Sequence, residues 1–188
     1  MNRRRLIAVI GDGDLHGQTE KCRLAEELGR VLVDHGYRIV TGGLGGIMEA
    51  ASRGARSSAR YREGDVIGIL PGSDPGTANP HVDICIPTGL GTGRNLIIAQ
   101  ADAVVAIGGG AGTLCEMAGA WVAGRMVIGY RVDGWSGELA DRPIDRRIRH
   151  PGIPDDRVHG VDSAGEVMAL LERLPAYGQV QSNTRHQR

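Results

Sequence analysis

The 188-residue sequence has no phenylalanine, and aromatic residues make up only 3% of it. A surface that stacks unpaired bases needs more rings than that. Lysine is nearly missing too: Lys21 is the only one, and every other basic side chain is arginine. A Walker A loop requires Gly-Lys-Ser/Thr, which does not occur, and pyridoxal chemistry requires a suitably placed lysine. Charge of one sign is also lacking, since 22 Lys+Arg balance 22 Asp+Glu. Without an overall basic field, neither nucleic acid nor a membrane surface is expected as a partner. Cys22, Cys85 and Cys115 match no CxxC or zinc spacing. His16, His35, His81, His150, His159 and His186 form no HxxxH or HExxH pattern, so no metal is expected. No apolar run approaches the ~20 residues of a membrane span. The run after the basic start is only Leu6 to Ile10, too short for a signal segment. An odd cysteine count without such a segment leads to the expectation of reduced thiols in the cytoplasm.

What the chain has in quantity is glycine, 30 residues of it, and an alternation of short apolar runs with helical patterns. Strands are expected at 6–10, 37–41, 66–70, 82–86, 103–107, 126–130 and 158–161. Helices are expected at 18–35, 47–59, 94–101, 113–123 and 163–174. This order predicts an α/β class: a single Rossmann-like, doubly wound domain over 1–177 with a mainly parallel sheet flanked by helices. Near-continuous apolar strands fit a sheet covered on both faces. Residues 131–157 read as an irregular insertion or flap. Residues 178–188 lack an apolar face and are expected to be a disordered tail.

Ligands on such sheets bind beyond the carboxyl ends of the strands. The glycines gather there, in loops 11–16, 42–46, 89–94 and 108–113. Gly108–Glu116 follows a buried strand and opens a helix, where free N–H groups and the helix dipole hold anions. Thr113 and Glu116 also have the spacing of a capping box, a purely structural use. Gly42–Gly46 repeats the strand–glycine–helix pattern, and its bland reading is close packing of the helix that follows. Gly11 and Gly13 begin a GxG, but His16 stands where a dinucleotide fingerprint has its third glycine. Strand two ends in Thr41 rather than an acid, which argues against NAD. Asp12 and Asp14 read as turn residues. Arg94 at a helix start opposes the dipole, so it is either the partner of a phosphate or carboxylate or a solvated surface group. Cys115 reads as a small packing residue. The helix 118–123 with Trp121 is either a partner face or packed core. The arginines of 142–157 alternate with aspartates and read as a solvated face.

Together these motifs resemble the LOG-like Rossmann proteins, named for the cytokinin-activating phosphoribohydrolases and often labelled possible lysine decarboxylases. Gly108–Glu116 is similar to their PGGxGTxxE, with Gly108 in place of proline. Gly42–Glu49 is similar to their GGxxG-[ILV]-M segment, and Gly93-Arg94-Asn95 falls where the hydrolases carry Arg-Lys. The likeness runs from Leu6 to Tyr130 and again in the last helix. It implies cleavage of the N-glycosidic bond of a nucleoside 5′-monophosphate, with Arg94 and Glu116 as the catalytic pair. The implied phosphate and nucleotide contacts are Gly11, Gly13, Gly42, Gly43, Gly45, Gly46, Glu49, Gly109, Gly110, Gly112 and Thr113. It implies no cofactor and a homodimer or higher homo-oligomer. Gly108 and Asn95 resemble instead a sister branch, the DprA/Smf-related family 1 and the molybdenum-cofactor carrier proteins, and Glu49 fits it as well. The carriers bind a pterin phosphate without hydrolysing it. The lone lysine speaks against a decarboxylase in either branch.

Overall fold

The computed structural model describes residues 3–177, so the tail expected at 178–188 lies outside the described residues. Its seven strands are β1 (Leu6–Gly11), β2 (Arg38–Thr41), β3 (Val66–Leu70), β4 (Ile84–Pro87), β5 (Ala103–Ile107), β6 (Met126–Tyr130) and β7 (His159–Val161). The helices are α1 (Thr19–Asp34), α2 (Ile47–Arg56), α3 (Asn95–Ile98), α4 (Ala111–Val122), α5 (Trp135–Leu139) and α6 (Ala164–Leu171). The strands lie in the order β4-β3-β2-β1-β5-β6-β7, and every pair is parallel. The chain winds outward from β1 through β4, then returns to build β5 to β7 on the other side of β1. The order therefore reverses between β1 and β5, and connections leaving their carboxyl ends part to form a crevice.

The two cores follow the period of two along each strand. Ile7, Val9, Ala103, Val105 and Ile107 meet Leu24, Leu28, Ala51 and Val167 of α1, α2 and α6. Ala8, Ile10, Val104 and Ala106 meet Ile98, Met117, Ala120 and Trp121 of α3 and α4. With both faces covered, the strands must be apolar throughout, and β1 from Ile7 to Ile10 is fully inside.

Several expectations need correction. The helix expected at 94–101 is a 3-10 turn at Gly91–Arg94 followed by only one helical turn, α3. Three glycines at 89, 91 and 93 make a longer regular start costly. Residues 131–157, expected as an irregular insertion or flap, contain the short helix α5 and the fully buried Ser136. Their charge is not all solvated. The Arg149 guanidinium lies 3.4 Å from the Trp121 ring centre, pairs with Asp156 and donates to the Trp121 and Arg125 carbonyls. It thus closes the carboxyl end of α4. Trp121 itself is packed core, while its neighbour Val122 faces outward. Cys115 is exposed, not packed.

His150 and His159 are buried at the far end from the glycine loops. The Nε2 atoms sit 3.1 Å from the Gly124 carbonyl and 3.0 Å from the Tyr177 hydroxyl. Burial pushes both imidazoles below their ordinary 6.5. The unfolded chain therefore takes up protons that the folded chain resists, and stability falls as pH drops below about 6.5. In a Glu116→Gln background, which removes an opposing carboxyl effect, the melting temperature should fall between pH 7.5 and pH 5. Constant melting across that range would contradict the assignment.

Candidate functional site

The site forms where β1 and β5 end side by side. Gly11 closes β1 and pairs in register with Ile107, so the first and third glycine loops leave the sheet together. The Thr113 hydroxyl donates to the Gly11 carbonyl at 3.1 Å and ties them. This replaces the capping box. The helix begins at Ala111 with Gly110 as its N-cap, no side chain caps it, and Thr113 lies inside the first turn. Gly110, Ala111 and Gly112 are exposed at this uncapped start. Their first-turn amides and the helix dipole offer donors for an anion.

The segment after β6 holds that loop in place. The Gly108 N–H donates to Ser136 Oγ at 2.8 Å, and the Ser136 hydroxyl donates to the Tyr130 carbonyl at 2.7 Å. In return, the N–H groups of Ser136 and Trp135 donate to the carbonyls of Gly108 and Gly109, both at 3.0 Å. With the loop carbonyls tied down on this side, the amides that follow are left to a ligand. Sequence reading missed this strap because its partners are far apart in the chain and its residues carry no motif. Ser136→Ala would orphan the buried Gly108 N–H and is expected to cost about 2 kcal/mol. Urea unfolding of the variant checks this, and an unchanged midpoint would refute it.

The second loop, Gly42–Gly46, is braced separately. Gly43 N–H donates to Thr41 Oγ1 at 3.0 Å, and Asn79 supports the loop through the Gly43 and Leu44 carbonyls. The Ile47 N–H donates to the Asp12 carbonyl at 2.9 Å, which draws this loop against the first. Gly45 and Gly46 lie against Gly13, while a Cβ on Gly13 itself would meet nothing. Glu49, half-buried in the first turn of α2, has its carboxylate near Gly45.

Asp12 is more than a turn residue. Its carboxylate pairs with Lys21 Nζ at 2.8 Å, and the Lys21 side chain is only 8% exposed. The one lysine of the chain is therefore a fixed charge at the junction of the loops. It also explains Gly108. That residue has φ +66, which proline cannot adopt, and a Cβ there would run into Asp12 and come within 2.7 Å of Lys21 Nζ. Asp14, by contrast, keeps its turn role by accepting from the His16 N–H at 3.0 Å.

Arg94 and Glu116 come together across the crevice. Arg94 Nη1 lies 3.9 Å from Glu116 Oε1, with side chains 12% and 9% exposed. The guanidinium also donates to the Ile69 carbonyl and occupies the space where Gly42 would have a Cβ. Arg94 is thus not a solvated surface group. Burial pushes the Glu116 carboxyl up to about 7, and nearby Arg94 only partly offsets this. Burial likewise lowers the Arg94 guanidinium, opposed by Glu116. Asn95, beside Arg94, is buried and donates to the Gly112 carbonyl at 3.4 Å, so it braces the third loop. Two cations, Arg94 and Lys21, and one uncapped helix start therefore converge on the β1–β5 crevice. No cluster of metal-ligating side chains exists among the described residues.

The sequence pattern of the SLOG cluster4 family matches residues 4–167. This chain belongs to that family. It is 39% identical over 126 residues to an uncharacterized protein of Archaeoglobus fulgidus, covering 66% of this chain and 79% of that one. Its fold matches the molybdenum cofactor binding protein of Rippkaea orientalis with a TM-score of 0.76 and 31% identity, over 93% of this chain and 99% of the other. It also matches the molybdenum cofactor carrier protein of Chlamydomonas reinhardtii with a TM-score of 0.73 and 28% identity, over 92% and 99% of the two chains. The α/β, parallel, Rossmann-like architecture expected from the sequence is the one observed, and these two solved structures match it. No helix among the described residues is long and apolar enough to cross a membrane.

Proposed function

We propose that this SLOG protein is a carrier that binds a pterin phosphate of the molybdenum-cofactor type without hydrolysing it. The observation that carries the reading is likeness, over more than nine-tenths of the chain, to solved proteins named for binding or carrying that cofactor. The geometry agrees with it. The phosphate would take the amides of Gly110, Ala111 and Gly112, with Arg94 and Lys21 supplying positive charge. Asn95, where the hydrolases carry a lysine, is spent on the Gly112 carbonyl and leaves one fewer cation for chemistry. The test is anaerobic incubation with the cofactor released from a molybdoenzyme, followed by gel filtration. Co-elution of pterin fluorescence with the protein, and recovery of the cofactor intact, is the expected result. Passage of all pterin into the small-molecule fraction would reject the reading.

A second reading is favoured by one observation, the approach of Arg94 to Glu116 with both side chains largely buried. A nucleotide N-glycosidase needs a carboxylate beside the ribosyl cation and a cation for the phosphate or leaving group. That reading predicts release of free base and ribose 5-phosphate from a nucleoside 5′-monophosphate, abolished in Glu116→Ala. Turnover should rise with pH through about 7 if the ionised Glu116 is the working form, because burial holds its proton until there. Chromatography of the products decides between the two readings.

The chain is proposed to act as a homodimer or higher oligomer. Leu96 and Ile97 on α3 and Val122 on α4 are exposed at 59%, 44% and 70%, an unusual expense of apolar area for a surface. Val122→Glu should shift the mass measured by light scattering toward the monomer, and an unchanged mass would place the contact elsewhere.

A further inference from the structure

We infer that Trp135 is the ring platform of this site: its indole stacks on the planar heterocycle of the ligand whose phosphate the third glycine loop holds. The inference rests on the phosphate-ligand reading above and adds the feature that distinguishes ligands within it. The chain has six aromatic residues, two Trp and four Tyr, so each can be placed. Trp121, Tyr130 and Tyr177 are buried. Tyr37 and Tyr61 precede β2 and β3, at the opposite edge of the sheet from the glycine loops. Trp135 alone is both exposed, at 38%, and located at the carboxyl edge.

Its position there is fixed by the backbone. The Trp135 N–H is bonded to the Gly109 carbonyl at 3.0 Å, one residue before the exposed amides that begin at Gly110. On one side Gly134 packs so closely that a Cβ would come within 2.7 Å of the Gly108 carbonyl carbon. On the other, Ser136 is fully buried and doubly bonded to Gly108. With Ser136 facing inward, Trp135 is left partly exposed beside the third glycine loop. A large, flat, partly open ring held by a rigid strap beside an anion site is suited to a ligand that joins a phosphate to an aromatic ring system. A pterin and a purine both meet that description, and a bare sugar phosphate does not.

The experiment uses the full chain and two probes that share a phosphate: neopterin monophosphate, which has a ring system, and ribose 5-phosphate, which has none. Affinities are measured by calorimetry for the wild type, Trp135→Ala and Trp135→Phe. Trp135→Ala should weaken neopterin monophosphate roughly 10- to 100-fold and leave ribose 5-phosphate within about twofold. Trp135→Phe should recover most of the loss. Wild-type tryptophan emission should be quenched by neopterin monophosphate. In Trp135→Phe, where Trp121 is the remaining indole, that quenching should disappear. Equal weakening of both probes would mean that Trp135 only supports the loop, and unchanged affinity for both would mean that it lies outside the site. Either result overturns the inference and leaves the phosphate reading standing. Failure of the wild type to bind either probe would overturn that reading, and the inference with it.

Discussion

Glu116→Gln is expected to stabilise the chain by about 3 kcal/mol at pH 8 and by little at pH 4.5. The carboxyl titrates at about 7 in the folded chain because it is buried, and at about 4.5 when unfolded. Its pKa is therefore raised by folding. The stability it contributes is fully present below about 4.5 and is lost as pH rises through 7. A shift of this size corresponds to about 3 kcal/mol at 1.36 kcal/mol per unit. Arg94, 3.9 Å away, already pulls in the opposite direction, so this is what remains after that attraction. Glutamine has the shape of the protonated acid and nothing to lose with pH. Melting curves of both proteins at the two pH values check this, with roughly 6–12 °C between them at pH 8. Equal differences at pH 4.5 and 8 would show that Glu116 is not held in the way described. A side chain whose removal stabilises the fold is the usual mark of a group retained for binding or chemistry. Such a result would favour the second functional reading, in which Glu116 is the catalytic carboxylate.

The layers of this fold were legible because parallel strands buried on both faces must be apolar, and those runs stand out between glycines. Val66–Leu70, Ala103–Ile107 and Met126–Tyr130 begin and end where the apolar runs do. The crevice was legible for a related reason, since close approach of loops to one another and to a ligand selects glycine. What escaped reading depends on pairs distant in sequence. Nothing local shows that Thr113 reaches Gly11, and a capping box is the natural local inference from Thr113 and Glu116. The same holds for Ser136 and Gly108, and for Arg149 on Trp121. Lys21 stood out in the sequence as the lone lysine of an arginine-rich chain, but only for the chemistry it excludes. Its value emerges only with Asp12, because the pair fills the space beside Gly108. The glycine in place of the LOG-like proline is then not an isolated substitution. A proline there would need a different turn and an empty space where the Asp12–Lys21 pair now lies. The departure from the hydrolase motif and the charge at the loop junction are one structural feature contributed by three residues.

Gly54→Ala is expected to lower stability by about 2 kcal/mol or more and to weaken the ligand site as well. Gly54 of α2 and Gly29 of α1 face each other's helices where the two cross. A Cβ on Gly54 would land on the Glu26 carbonyl, and one on Gly29 would land on the Ala51 carbonyl. The obstacle is backbone, so no rotamer change relieves it and the helices must separate. Overpacking of this kind costs about 1–3 kcal/mol, with rigid backbone at the upper end or beyond. Alanine's better helix propensity returns at most about 1 kcal/mol. A control is Gly152→Ala, where a Cβ meets nothing within 4 Å, and its stability should stay within about 0.5 kcal/mol of wild type. Equal stability of Gly54→Ala and Gly152→Ala in urea would refute the close crossing. The consequence for the site follows from connectivity. α1 carries Lys21 near its start, and α2 begins directly after Gly46, whose loop rests on Asp12. Moving the helices apart at their crossing moves Lys21 relative to Asp12, and with them the space beside Gly108. Phosphate affinity should therefore fall in Gly54→Ala even at temperatures where the variant remains folded, whereas Gly152→Ala should leave it unchanged.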